Sequence, residues 1–135
     1  MDIIGQVPSE CAKRYGDKVA LIFKNRRLSF REIDAFSNKL GNSLKKLGLQ
    51  KGDRISIYSQ NCWEWIISYY AIAKIGAVVN PINVMLTPEE VLYVVNDCGA
   101  KALMTSPDKA EAVLGILDEA NTLKNVMRRY RLLDN

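Results

Sequence analysis

From Tyr69 to Ile75 the chain is almost wholly apolar, then it breaks at Gly76, resumes as Ala77-Val78-Val79-Asn80-Pro81 and restarts behind Thr87-Pro88-Glu89-Glu90. That succession is the middle of a βα repeat: a buried helix, its terminator, a strand, and the start of the next helix. From Gly52 onward a unit of this kind recurs about every two dozen residues. The predicted strands are Arg54–Tyr58, Ala77–Ile82, Lys101–Thr105 and Lys124–Tyr130, and the predicted helices between them are Cys62–Ile75, Pro88–Cys98 and Asp108–Asn121. Successive units of this length imply parallel strands joined by right-handed crossovers, with helices covering the sheet.

The N-terminal third reads differently. A short helix around Pro8–Tyr15 precedes Val19–Phe23 and Leu28-Ser29, two short strands with a turn at Lys24–Arg27, which predict a hairpin. Ser29 with Glu32 three residues on has capping-box spacing. The helix it opens carries the stripe Ile33, Phe36, Leu40, Leu44 and Leu47, with Arg31, Asp34, Asn38, Lys39, Asn42 and Lys45 on its outer face. Lys45 and Lys46 suit the negative end of its dipole, and Gly48 can close it. The same spacing predicts caps at Asn61 with Glu64 and at Thr87 with Glu90, while Pro88 and Pro107 fit first helical positions. Helix Cys62–Ile75 has only Glu64, Ser68 and Lys74 as polar exceptions, so burial on more than one side is expected, with Trp63, Trp65, Tyr69 and Tyr70 packing rather than forming a ligand box.

Composition narrows the class. The 135 residues, 48% hydrophobic and 25% charged, suit one α/β domain spanning 1–135 with a core that needs neither disulfide nor metal. No apolar run is long enough to span a membrane and no signal core follows the N-terminus, so a cytoplasmic address is expected. Cys11, Cys62 and Cys98 are an odd set within helix patterns and read as buried thiols. The net charge of +4 arises from 19 basic and 15 acidic residues spread along the chain, with one cluster at Arg128, Arg129 and Arg131. Without a basic surface or a recognisable module, no nucleic-acid partner is expected. There is no histidine, which excludes a complete Ser/His/Asp or Cys/His site in these residues.

In open parallel sheets ligands bind at the loops after the strands' carboxyl ends. Here those are Ser59-Gln60-Asn61, Asn83–Thr87 and Ser106-Pro107. None is glycine-rich, and neither GxGxxG nor GxxxxGK[ST] occurs, so no phosphate cradle is expected. Glu89-Glu90 suits a helix N-terminus, Asp118-Glu119 a polar helical face, and Asp53 a turn. The residues therefore predict no catalytic, cofactor-binding or metal-binding site.

Seven pieces in order resemble a known family: Val19-Ala20-Leu21-Ile22, Leu28-Ser29-Phe30-Arg31-Glu32-Ile33, Lys51-Gly52-Asp53-Arg54-Ile55, Asn61 with Trp63-Glu64, Lys74-Ile75-Gly76-Ala77-Val78-Val79-Asn80-Pro81, Thr87-Pro88-Glu89-Glu90 and Asp97-Cys98-Gly99-Ala100-Lys101. Together, from about Val7 to Met127, they resemble the opening of the AMP-forming acyl-CoA ligases, a superfamily that includes nonribosomal-peptide adenylation domains and luciferases. The resemblance implies the adenylate-forming N-terminal fold and a parent enzyme in which a carboxylate attacks the α-phosphate of ATP, with Mg present. A thiol, commonly that of CoA, then displaces AMP. It implies an apolar or fatty carboxylic acid as the parent's substrate. The family's phosphate loop and catalytic lysine lie later in the chain and have no counterpart here, so the 135 residues are expected to be an N-terminal subdomain fragment, inactive alone and binding no cofactor. Their expected partners are the rest of the parent enzyme or a second copy in a dimer, with the segment after Leu123 a candidate for exchange. The alternative is a free-standing, non-catalytic interaction or oligomerisation module.

Overall fold

The computed structural model describes residues 3–115 and 117–128. A single 3-10 turn at Ile4–Gln6 leads into α1 (Val7–Tyr15), then the strands β1 (Val19–Phe23) and β2 (Arg26–Ser29), α2 (Phe30–Lys46), β3 (Arg54–Tyr58), α3 (Trp63–Lys74), β4 (Val78–Ile82), α4 (Pro88–Cys98), β5 (Ala102–Thr105), α5 (Pro107–Leu114) and β6 (Asn125–Arg128). β1 and β2 form an antiparallel hairpin, and the other four strands form a parallel sheet in the order β4-β3-β5-β6. The α/β architecture expected from the sequence is the one observed.

Local chemistry sets most of the boundaries. The boxes at Ser29/Glu32 and Thr87/Glu90 are both complete, each hydroxyl accepting from the third-position amide and each carboxylate accepting from the cap amide. Three helices end alike. After α2, α3 and α4 the amides of Leu49, Ala77 and Ala100 donate back to Leu44, Ile72 and Val95, and those of Gly48, Gly76 and Gly99 to Lys45, Ala73 and Asn96. This is the Schellman closure, which needs a residue of positive φ at the turn; Gly76 at +78° and Gly99 at +66° supply it without a Cβ penalty.

The sheet is covered on both faces, as a parallel sheet requires. Ile55, Ile57, Ala102, Met104 and Met127 face α2 and α3 through Leu40, Leu44, Ile67, Ala71 and Ile72. Tyr58, Leu103 and Val126 face the other way, among Val91, Val95 and Val113 of α4 and α5. Odd and even strand positions sort cleanly, as the two-residue period of a strand demands.

Several expectations are corrected. Asn61 does not cap α3: Cys62 occupies the cap position without a side-chain cap bond, and Glu64 is buried. Leu47 is 42% exposed, because the Schellman turn swings the chain away and delivers Leu49 to the core in its place. The helix expected over Asp108–Asn121 stops at Leu114 and is followed by a 3-10 turn at Leu117–Glu119. There Asn96 binds the carbonyl of Glu119 and the amide of Asn121, holding the chain off the helical path. The last strand is observed from Asn125 and pairs with β5. Positions 129 and 130 of the expected strand, and Arg129 and Arg131 of the basic cluster, lie outside the described residues. Cys11, Cys62 and Cys98 are half-buried rather than buried, with no disulfide among them.

Candidate functional site at the carboxyl edge of the sheet

The loops after β3, β4 and β5 lie at one edge of the sheet because these three strands are parallel and in register. Each loop is occupied largely in holding itself. Ser59 Oγ donates to the carbonyl of Gln60, Asn83 Oδ1 accepts from the amide of Met85, and Thr87 opens α4. Tyr58 Oη reaches across to the carbonyl of Leu86 at 2.7 Å, tying the ends of β3 and β4 together, and Lys109 Nζ lies 5.4 Å from the Tyr58 ring centre. The sequence offered no sign of the Tyr58 contact, since 28 residues separate its ends.

The carboxylates weighed from the sequence fall into structural places. Glu90 closes the cap of α4 and Glu89 is exposed beside it; Asp118 and Glu119 are exposed on the 3-10 turn; Asp53 accepts from the amide of Gln50 in the turn before β3. The structure brings none of them together. Among the described residues no group of three His, Cys, Asp or Glu could hold a metal ion. With no glycine-rich loop at this edge, the described residues do not fit a magnesium–triphosphate group.

The three polar exceptions of α3 are placed as follows by the fold. Lys74 Nζ donates to the carbonyl and Oδ1 of Asp34 and to Oδ1 of Asn38, stapling the end of α3 to α2. Ser68 Oγ donates to the carbonyl of Glu64 one turn earlier. Glu64, 1% exposed, has one carboxyl oxygen with no partner among the described residues. On the opposite face of the sheet, Asn80 Nδ2 donates to Ser56 Oγ and Cys98 Sγ, linking β4, β3 and α4.

The aromatic residues of α3 pack, as expected. Trp63 sits 6.0 Å from Phe36 and under the Arg26 guanidinium at 4.1 Å, while Tyr69 stacks on Trp65 and meets Tyr70 edge-on. Burial, the neighbouring Cys11 and Tyr69 push the Tyr70 hydroxyl above its ordinary pKa. Tyr70 and Cys11 line an otherwise apolar cavity of about 240 Å³ between α1, the hairpin, α2 and α3, away from the carboxyl edge. No helix of the described residues is long and apolar enough to cross a membrane.

Known proteins carry the same fold. The crotonobetaine/carnitine–CoA ligase of Salmonella paratyphi A is 36% identical over 116 residues, which cover 78% of this chain and 22% of that protein. The chain thus spans about a fifth of the length of the curated relatives it matches. Among solved structures, the N-terminal domain of FACL13 from Mycobacterium tuberculosis superposes with a TM-score of 0.92 at 26% identity, over 100% of this chain and 36% of that one. The Mycobacterium tuberculosis fatty acyl CoA synthetase superposes with a TM-score of 0.91 at 26% identity, over 98% and 28%. The sequence profile of one family runs through residues 9–134, from the first turn of α1 through every strand of the sheet, and by that match the chain belongs to the AMP-binding enzymes.

Proposed function

We propose that these residues form the N-terminal scaffold of an ATP-dependent, AMP-forming acid–thiol ligase, in which a carboxylic acid is activated as an acyl-adenylate and passed to CoA. The observation that carries this reading is the family match along residues 9–134, joined to relatives whose names are those of CoA ligases. The parallel sheet, its helices and the hairpin hold the carboxyl-edge loops in place, while ATP, Mg and CoA are bound by the longer protein. A fatty or other apolar acid is the proposed substrate class, with a cytoplasmic address.

The 135 residues by themselves do not bind the nucleotide. Calorimetry with ATP and magnesium should give no stoichiometric heat for this segment, whereas a ligase carrying it should exchange pyrophosphate into ATP only when its carboxylic acid is added. Stoichiometric micromolar binding by the segment would overturn the scaffold reading, and carboxylate-independent exchange would overturn the reaction class.

A further inference from the structure

Four elements meet around the cavity that Tyr70 and Cys11 line. Helix α1 contributes Val7 and Cys11, α2 contributes Phe30 and Ile33, α3 contributes Ile66 and Tyr70, and β1 closes the remaining side. The spacing explains the convergence: within each pair the residues stand three or four apart, so each helix turns a single face to the same space. Two of the rings are braced from behind. Phe30 meets Tyr15 with ring centres 5.0 Å apart, and Tyr70 meets Tyr69 edge-on at 5.4 Å. The space is therefore preformed and partly open to solvent, as small-molecule sites usually are.

The lining decides what can occupy it. No charged side chain borders the cavity. Its polar groups are the Cys11 thiol and the Tyr70 hydroxyl, and neither makes a hydrogen bond among the described residues. The two side chains are close enough to act on one another electrostatically, and burial keeps the proton on Tyr70, which makes the hydroxyl a ready donor. An ionised acid would leave water here without meeting a cation, and an ammonium group without meeting an anion. Water fits poorly as well, since an internal water needs two to four polar partners and a thiol is a weak one. What the walls suit is a neutral, largely apolar molecule with one group that accepts from Tyr70. Size narrows the class further. An apolar cavity of about 150 Å³ takes benzene, so one of about 240 Å³ has room for a single ring and a short substituent. The Phe30 and Tyr70 rings favour an aromatic guest, through edge-to-face or offset packing.

We propose that the cavity between α1, the hairpin, α2 and α3 is a binding site for a small neutral aromatic molecule carrying a carbonyl, whose oxygen accepts a hydrogen bond from the Tyr70 hydroxyl. The guest touches α1, the hairpin, α2 and α3 at once. Its binding therefore stabilises the docking of the N-terminal elements on α3, whichever reaction the longer protein performs.

Acetophenone serves as the probe, with ethylbenzene as the match that lacks the acceptor and benzoate as the match that carries a charge. On the protein carrying this segment, acetophenone should slow modification of Cys11 by methyl methanethiosulfonate and leave the rates at Cys62 and Cys98 unchanged. At about ten times its dissociation constant it should lower the unfolding constant about 11-fold. A crystal soaked in it should show the carbonyl oxygen within about 3.2 Å of Tyr70 Oη. Tyr70→Phe should weaken acetophenone about 3- to 10-fold and leave ethylbenzene unchanged. Benzoate should give no protection. Absence of Cys11 protection up to the solubility limit of acetophenone would overturn the site. So would protection of Cys62 instead, which borders a second apolar cavity beside Trp63. Equal losses for acetophenone and ethylbenzene in Tyr70→Phe, or equal protection by benzoate, would overturn the assigned ligand chemistry. Labelling and crystallography need no variant and decide the matter if Tyr70→Phe fails to fold.

Discussion

Replacing Lys74 with Met keeps the aliphatic stem and removes the ammonium that joins α3 to α2. The structure sets the magnitude. All three protons of Nζ are used, at 2.6 Å to Asp34 Oδ1, 3.1 Å to the Asp34 carbonyl and 2.6 Å to Asn38 Oδ1. The Lys74 and Asp34 side chains are 12% and 21% exposed, so neither charge is fully solvated and neither is fully buried. Exposed ion pairs contribute about 0–1 kcal/mol, whereas breaking a fully buried pair costs about 3–5 kcal/mol because it strands the surviving charge. Asp34 retains some water, which places the expected loss near 2 kcal/mol, about 30-fold in the unfolding constant.

Urea unfolding followed by tryptophan fluorescence reads this directly, since Trp63 packs on Phe36 of α2 and Trp65 packs against the same core. Adding Asp34→Asn to Lys74→Met should recover part of the loss by removing the stranded charge, giving a coupling of roughly 1 kcal/mol. Half-molar salt should change the cost little, because screening acts weakly on partly buried pairs. A loss under about 0.5 kcal/mol for Lys74→Met, or a cost that vanishes in salt, would show that the pair is solvated and that the helices are held by apolar packing alone.

Ser29→Ala and Thr87→Ala should each cost about 1 kcal/mol in the same assay, while Asn61→Ala should cost almost nothing because Asn61 caps no helix. Gly5→Ala should destabilise by about 1–3 kcal/mol, since its Cβ would lie 2.8 Å from the backbone oxygen of Ala73 and backbone cannot move aside. Tyr70 holds its proton more tightly folded than unfolded, so its contribution to stability is complete below the unfolded pKa of 10.0 and is lost as pH rises through the higher folded value. Tyr70→Phe should remove that part of the alkaline destabilisation; stability curves for both proteins that fall in parallel above pH 10 would refute the assignment.

The elements legible in the sequence are those fixed within one helical turn. Ser29/Glu32, Thr87/Glu90, Gly76 and Gly99 each act on backbone a few residues away, and each boundary they mark is observed. The strand order is not local in this sense: nothing within β5 says that β3 lies on one side and β6 on the other. The premature end of α5 is likewise held by Asn96, about 23 residues upstream of the carbonyl it binds. Helical periodicity puts Leu47 in the core because it carries on past the residue at which the helix stops, whereas the Schellman turn hands the buried position to Leu49. The carboxyl edge is legible in the sequence as a set of loops, but the contact of Tyr58 with Leu86 and the burial of Glu64 arise only when the strands are side by side.

The burial of α3 accounts for the difference between the cap spacing at Glu64 and its observed place. On a half-exposed helix, polar residues mark the solvent face, and a carboxylate near the N-terminus is naturally assigned to the cap. None of the side chains from Cys62 to Ile75 is exposed, so α3 has no solvent face for polarity to mark. In such a helix a polar residue signals an internal partner instead, and the cost of losing it should follow that partner's nature. Among the described residues Ser68 bonds the carbonyl of Glu64, one turn back within its own helix, so Ser68→Ala should cost less than about 0.5 kcal/mol, the better helix propensity of alanine offsetting the lost bond. Lys74 joins two helices and should cost about four times as much. Were Ser68→Ala and Lys74→Met to prove equally costly, the polar positions of α3 would owe their burial to packing volume rather than to the partners they reach.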